Sequence, residues 1–300
     1  MSVEPIRYFH RTKKTTETEQ IYGESWLRWT YESGLGRLAL NLLVKRTLAS
    51  RYYGWRMNWL YSAQKILPFI ARYNLDVDEF AKKPYSFKNF NQFFYRALKP
   101  GARPIAGQEG DRLAVLPADG RHLAFQNVDA ADGFYAKGQR FSLESFLGDA
   151  ALAAEFAGGS LLISRLCPVD YHRFHFPVSG QPGEPRLING ALYSVSPVAL
   201  RRNLAYLWEN KRMVTIVDSS QFGRVAVCEI GATMVGTIAQ TFVPGRAVAK
   251  GDEKGLFKFG GSCVVTIFQP GKIKFDADLL ENSAQQREVY AKMGERLGVA

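Results

Sequence analysis

The stretch Lys254 to Pro270 places a serine between two glycines and a β-branched run. Gly260-Gly261-Ser262 leads through Cys263 into Val264-Val265-Thr266-Ile267-Phe268. Such a run, bounded by Gly and Pro, predicts a buried strand. Glycines before it suit a tight or irregular backbone, where a serine can have a peptide carbonyl beside its own hydroxyl. Two of the four histidines, His172 and His175, lie three residues apart in Cys167-Pro168-Val169-Asp170-Tyr171-His172-Arg173-Phe174-His175-Phe176-Pro177. Asp119 sits in Pro117-Ala118-Asp119-Gly120, where Asp-Gly is a turn signature. A serine, a histidine and an aspartate can supply a nucleophile, a base and an orienting carboxylate, whatever their order in the chain. Each motif also has a plain structural reading: a turn into a core strand, an Asp-Gly turn, and core or surface imidazoles. A metal pair at His172 and His175 lacks a third ligand spaced nearby. On an extended stretch, the two rings would face opposite sides and do separate jobs. The G-x-S-x-G elbow of serine hydrolases is absent around Ser262. His10 and His122 read as structural or exposed.

Taken together, Pro-Ala-Asp-Gly, the Asp170–Pro177 stretch and Phe259-Gly260-Gly261-Ser262 resemble phosphatidylserine decarboxylase of the bacterial and mitochondrial proenzyme type. The resemblance extends to Phe90–Ile105 and to Val235-Gly236-Thr237-Ile238, so it covers about residues 85–280. It implies that Ser262 attacks the peptide bond on its own N-terminal side and cuts the chain between Gly261 and Ser262. The resulting ester eliminates, and hydrolysis leaves ammonia and a pyruvoyl group made from Ser262. Gly261 has no side chain to obstruct its carbonyl, which suits a strained acyl shift. Asp119 would orient His175, and His175 would deprotonate Ser262. The pyruvoyl ketone, the implied covalent cofactor, would take the amine of phosphatidylserine as a Schiff base and accept the electrons released with CO2. His172 would return a proton, giving phosphatidylethanolamine. No metal is implied. Position 263 departs from the family pattern, in which Thr or Ser is commonest, and Cys263 is not read as catalytic.

At 300 residues, with 46 % apolar content, the chain can bury a sizeable core. Its net charge of +11 suits a partner that is membrane, nucleic acid or an acidic substrate. Cys167, Cys228 and Cys263 show neither metal spacing nor a disulfide framework, which fits a reducing compartment. The first twenty residues carry no signal-peptide pattern, and no run approaches the ~18 apolar residues of a spanning helix.

Charge and aromatics concentrate near the N-terminus. Residues 24–73 hold Trp26, Trp29, Trp55 and Trp59, with eight basic side chains against Glu24 and Glu32. Leu38 to Leu48 show an apolar face opposite Arg37, Asn41 and Lys45, and a second helix is expected over Trp55–Leu67, ending or kinking at Pro68. Amphipathic, aromatic and basic helices suit an anionic bilayer interface, though helices packed on the main domain are the alternative. No nucleic-acid motif accompanies them.

Further helices are expected over Asp76–Lys82, Phe87–Ala97, Ser142–Phe146 and Ser196–Trp208, with a Pro/Gly linker over Lys99–Pro104. Strands are expected near Leu113–Leu116, Ser160–Ile163, Leu192–Ser196, Met213–Val217, Arg224–Cys228, Thr233–Val235 and Thr237–Ala239.

The expected class is α+β: N-terminal amphipathic helices followed by a mostly antiparallel β-rich catalytic domain. Residues 1–22 read as a poorly ordered polar tail, 23–110 as a helical membrane-associating region, and 111–300 as the catalytic domain. The expected product is a heterodimer of cleaved large and small chains, with further dimerisation open. It would lie peripherally on the cytoplasmic side of the cell membrane and bind no nucleic acid. The rival reading is a non-catalytic lipid-binding protein on the same fold.

Overall fold

The computed structural model describes residues 5–20, 25, 29–31, 33, 35–36, 54–107, 110–131, 141–200, 203, 205–232, 237–259 and 262–300. The described strands, in chain order, are β1 (Arg7–His10), β2 (Thr15–Thr18), β3 (Leu113–Val115), β4 (Gly120–Phe125), β5 (Ser160–Leu166), β6 (Arg173–His175), β7 (Gln181–Pro182), β8 (Arg186–Ile188), β9 (Arg212–Ser219), β10 (Gly223–Gly231), β11 (Ile238–Gln240), β12 (Glu253–Phe257), β13 (Ser262–Phe268), β14 (Lys274–Phe275), β15 (Glu288–Ala291) and β16 (Arg296–Val299). The large sheet runs β2-β1-β15-β4-β5-β13-β10-β9-β7, with β8 also on β9. Only β1 and β15 pair in parallel within it. Two small antiparallel sheets, β11-β12-β6 and β14-β16-β3, complete the β structure. The class is α+β, as expected.

Alternation along the central strands separates two cores. Leu123, Phe125, Leu161, Ile163, Cys228, Cys263, Val265 and Ile267 face one. Ala124, Leu162, Leu166, Val225, Val227, Val264 and Phe268 face the other, together with Phe174 and Phe257 of the β6–β12 layer. A period of two forces this division. Both faces of β5 and β13 are therefore buried, which explains their nearly continuous apolar runs.

A third core belongs to the N-terminal region. Met57, Ile66, Phe69, Phe80, Phe87, Phe90, Phe93 and Phe94 pack together and take in Phe259 from the other end of the chain. The expected helix over Trp55–Leu67 is observed as a 3-10 turn, Leu60–Lys65, running into an α-helix over Ile66–Tyr73. Pro68 does not end it. It sits in the first turn, where a backbone N–H would have no intrahelical acceptor. The helix expected over Phe87–Ala97 is confined to Phe90–Phe94, capped by Asn89 accepting from the Gln92 N–H at 2.9 Å. Asp76–Lys82 contains only the turn Val77–Glu79, and Ser196–Trp208 splits into Pro197–Leu200 and Tyr206–Glu209. Leu192–Ser196 forms no strand. The helix expected near Leu38–Leu48 and the strand at Thr233–Val235 lie outside the described residues.

Residues 5–20 overturn the expected polar tail. β1 and β2 form a hairpin on the sheet edge, and Tyr8 pairs in register with Glu288. Ile6 is buried, and Arg11 holds Asp276 and Asp278 at 2.9 and 2.8 Å. Beyond the hairpin, Glu19 reaches Arg165 at 2.6 Å, and Arg165 also holds Glu288 at 2.6 Å. Arg121 joins this buried cluster through Asp170 at 2.7 Å. Burial opposes ionisation of Glu19, but Arg165 and Arg121 prevail and hold its carboxyl at about 2. A depressed carboxylate stabilises the fold above its unfolded value, near 4.5, and that contribution is lost as pH falls toward about 2. Glu19→Gln should cost about 2 kcal/mol at neutral pH by loss of charge-assisted bonds. In denaturant titrations, its deficit relative to wild type should shrink as pH falls through that window.

Candidate active site

The large sheet around Ser262 connects directly to the segments that carry the other sequence candidates. Ser262 opens β13, opposite Leu166 at the end of β5 and Gly231 at the end of β10. β4 begins at Gly120 on the other side of β5. A Cβ at Gly120 would lie 2.4 Å from the Arg165 carbonyl oxygen, so the Asp119 turn can meet β5 only with glycine there. Two strand spacings of ~4.8 Å separate the start of β4 from the start of β13. Between them leaves the segment Cys167–His172, which carries the histidines into β6.

Ser262 is fully buried, and its Oγ has no hydrogen-bond partner among the described residues. A buried hydroxyl without a partner is costly and points to a role beyond packing. Thr266 shares that lack in mid-strand, away from the histidine segment. Ser262 has the strand parity of Val264 and Phe268, which face the core shared with the β6–β12 layer. Cys263 faces the opposite core. Its thiol, pushed up to about 12 by burial, is thus turned away from the side on which Ser262 lies.

His172 is completely buried. Its Nδ1 lies 3.0 Å from the Asp170 carbonyl oxygen, and the ring lies over Phe94 with 3.8 Å between centroids. A carbonyl can only accept, so Nδ1 carries the proton and the lone pair is on Nε2. The same Phe94 ring packs on Phe259 at 4.9 Å, and the Phe257 N–H donates to the His172 carbonyl at 3.0 Å. Phe259 is held further by its N–H donating to Asn91 Oδ1 at 3.0 Å. The strand leading to the Gly-Gly-Ser junction is therefore fastened to the loop that holds His172. Residues 260–261 themselves lie outside the described residues.

His175 lies on β6 beside the Asp119 turn, with its N–H donating to the Pro117 carbonyl at 2.7 Å. Its Nδ1 is 2.9 Å from the Gly251 carbonyl oxygen, and its Nε2 is 3.3 Å from the Tyr171 hydroxyl. The same tautomer follows. Burial pulls its pKa below the usual value, against the opposing pull of the Gly251 carbonyl and of Glu253 and Asp119. This neutral imidazole is suited to act as a base.

Asp119 does not hydrogen-bond to His175. Arg103 grips its carboxylate, with Nε at 2.9 Å and a terminal nitrogen at 2.6 Å, and the Met293 N–H donates to it at 2.8 Å. Its effect on His175 is through its field and through the Pro117 link, while Gly251 fixes the ring. Arg103 also reaches Glu79 at 3.0 Å. Sequence reading missed Arg103, Tyr171 and Gly251. Arg103 sat in a stretch read as linker, and Tyr171 lay within the quoted motif, unassigned. Gly251 acts through its backbone and has no side-chain signal. Asp170 proves to anchor its loop, accepting the Cys167 N–H at 2.6 Å while paired with Arg121.

The family model for phosphatidylserine decarboxylase matches residues 90–299. Relatives named phosphatidylserine decarboxylase proenzyme align over almost the whole chain. One from Chlamydia trachomatis serovar L2 is 45 % identical over 99 % of this chain and 98 % of its own length. One from Chlamydia muridarum is 46 % identical with the same coverage. One from Fusobacterium nucleatum is 42 % identical, covering 99 % of both chains. Ser262, His172, His175 and Asp119 all lie inside the matched region, and the chain belongs to the phosphatidylserine decarboxylase family.

Proposed function

We propose that this chain is a self-cleaving proenzyme whose Ser262 becomes the pyruvoyl group of a phosphatidylserine decarboxylase, converting phosphatidylserine to phosphatidylethanolamine. One observation carries the site assignment: the buried Ser262 Oγ, without a hydrogen-bond partner among the described residues, opens β13 opposite the end of β5 from which the histidine segment departs. That small, water-excluded, uncommitted serine fits the residue from which a pyruvoyl group is made. His175 takes the Oγ proton as Ser262 adds to the Gly261 carbonyl. The carbon–nitrogen bond breaks, the freed nitrogen gains a proton, and an ester joins Gly261 to Oγ. Loss of the Ser262 Cα proton expels the Gly261 carboxylate, and water then replaces nitrogen, releasing ammonia. Asp119, held by Arg103, positions the turn that supports His175. The resulting ketone supplies an electrophile for the substrate amine and a sink for the electron pair left by CO2. His172, fixed by Asp170 and Phe94, takes up a proton from solvent on its Nε2 lone pair and passes it to the carbon that CO2 leaves, completing the product.

The cut ends stay together because β13 is hydrogen-bonded on both sides by strands of the large chain. The heterodimer works at a membrane surface. Trp55 is 54 % exposed and Trp59 is 43 % exposed, with edge-to-face contact at 4.6 Å, and Leu60 and Leu67 project beside them. Exposed aromatics of this kind suit headgroup depth. In the same N-terminal region, a cavity of about 460 Å³ is lined by Lys65, Arg72, Phe69, Phe90 and Phe259, the last of which stands three residues before Ser262 in the chain. No described helix is long and apolar enough to cross a membrane, and peripheral attachment at the cytoplasmic side of the cell membrane fits the basic, aromatic region.

Fragment mass, variant phenotypes, the pH profile of cleavage and vesicle flotation test this reading. Denaturing gels and intact mass should show fragments 1–261 and 262–300, the smaller one refractory to Edman degradation, while Ser262→Ala stays full length. An intact wild-type chain that still decarboxylates would sink the mechanism, and one that neither cleaves nor decarboxylates would favour simple lipid binding. His175→Ala and Asp119→Ala should accumulate precursor. His172→Ala should cleave but lose about 10²–10⁴ of decarboxylation. Because burial lowers the His175 pKa, its basic form persists below the ordinary value of 6.5. Precursor cleavage followed against pH should therefore keep its rate to below that point before falling. In vesicle flotation, wild-type binding should weaken with salt or neutral lipid without vanishing, and Trp55→Ala/Trp59→Ala should reduce the salt-resistant part.

A further inference from the structure

The buried arginines of the described residues differ in what they hold. Arg121 and Arg165 are paired with carboxylates. Arg212 donates to the carbonyls of Ser145, Phe146, Trp208 and Asn210. Arg96 is only 5 % exposed, yet its side chain has neither a carboxylate nor a hydrogen-bond acceptor among the described residues, and its Nε is wholly buried without a partner. What it has are two aromatic faces, with its guanidinium carbon 4.7 Å from the Phe80 centroid and 5.1 Å from that of Phe93. Burial lowers its pKa to about 10, against the pull of Asp119 and Asp170, so it remains a cation at neutral pH. Those two carboxylates are already occupied by Arg103 and Arg121.

Its position ties it to the reaction site. Arg96 is two residues beyond Phe94, whose ring lies on His172. The intervening Tyr95 carbonyl accepts from Arg173 Nε at 3.1 Å, in the strand of His175. A planar, charged fork, nearly excluded from water and backed by two phenyl faces, is suited to receive an oxyanion. We propose that Arg96 is the seat for the phosphodiester of the lipid headgroup. This rests on the decarboxylase reading above. The substrate offers a carboxylate as well, but a cation fixed on that carboxylate would stabilise the charge that must leave as CO2. It would favour the ground state over the transition state. The phosphate keeps its charge throughout, and Arg96 can bind it in substrate and product alike.

The probe is glycerophosphoethanolamine, which has the phosphodiester and amine but no carboxylate. Mature wild-type enzyme should bind it more tightly than ethanolamine, and more tightly than inorganic phosphate. Arg96→Gln should weaken it by about tenfold or more, the scale of a lost charge-assisted bond. Arg96→Lys, which keeps charge but loses the fork, should fall between. On dispersed short-chain substrate, Arg96→Gln should raise KM by a like factor while kcat changes by less than about threefold, as for an interaction equal in ground and transition states. Unchanged affinity and KM in Arg96→Gln would overturn the assignment, as would a kcat loss at constant KM. Competition by free serine but not by glycerophosphoethanolamine would overturn it in favour of a carboxylate seat. Should Arg96→Gln fail to fold, the wild-type comparison decides alone: no preference for glycerophosphoethanolamine over ethanolamine defeats the proposal. Failure of wild type to cleave and decarboxylate would defeat the underlying reading instead, and binding to the uncleaved chain with and without Arg96→Gln would still judge Arg96.

Discussion

β13 is hydrogen-bonded along its length to β5 on one side and β10 on the other, and every residue of it is buried. Such a strand cannot shift register without turning its whole apolar set to the wrong face. Ser262 is therefore placed by seven residues of sheet pairing rather than by contacts of its own. The hydroxyl can remain uncommitted because its position does not depend on a hydrogen bond. The histidines follow a similar logic. Each is fixed through Nδ1 on a backbone carbonyl, Asp170 for one and Gly251 for the other. Fixing a ring through one nitrogen places the basic lone pair on the other.

The basic excess of the chain has several destinations. Some of it is interior: Arg121 and Arg165 hold Glu19, Asp170 and Glu288 beneath the histidine loop. Lys254 is a buried partner of Glu229 at 2.8 Å, close to the rings of Phe174, Phe176 and Phe242. Some remains at the surface, where Arg72 lies exposed beside the aromatic turn. The interior pairs set loop geometry, and the exposed charges face solvent. Removing one partner of an interior pair leaves a buried charge uncompensated, so charge counts alone say little about membrane affinity.

Legibility in the sequence followed the range of the signal. The β13 run was visible because β-branched residues between Gly and Pro are a local pattern, and the short motifs around Asp119, His172 and Ser262 carried the family likeness. The α+β class followed from the same local runs. The pairing of Tyr8 with Glu288 has no such trace, so residues 5–20 looked like tail. Pro68 looked like a terminator because its place in the first turn depends on where the helix begins. The Asp119 carboxylate was expected on His175, but the nearer, bidentate guanidinium of Arg103 took it. That choice depends on packing among Glu79, Asp119 and Met293, which no spacing rule encodes.

The order of strands has a consequence for the life of the molecule. Residues 262–300 supply β13 to the middle of the large sheet and β15 between β1 and β4. With the proposed cut before Ser262, neither piece would hold a complete sheet, and the two would interleave rather than sit side by side. While the backbone is continuous, the fold can be reached again after unfolding, since closing the last strands is an intramolecular event. After such a cut, the same search would become bimolecular, between a large piece with an open central gap and a short piece with almost no core of its own. Under the proposed cleavage, maturation would trade reversibility for chemistry, and the two-chain form would endure by its rate of coming apart rather than by its ability to form anew.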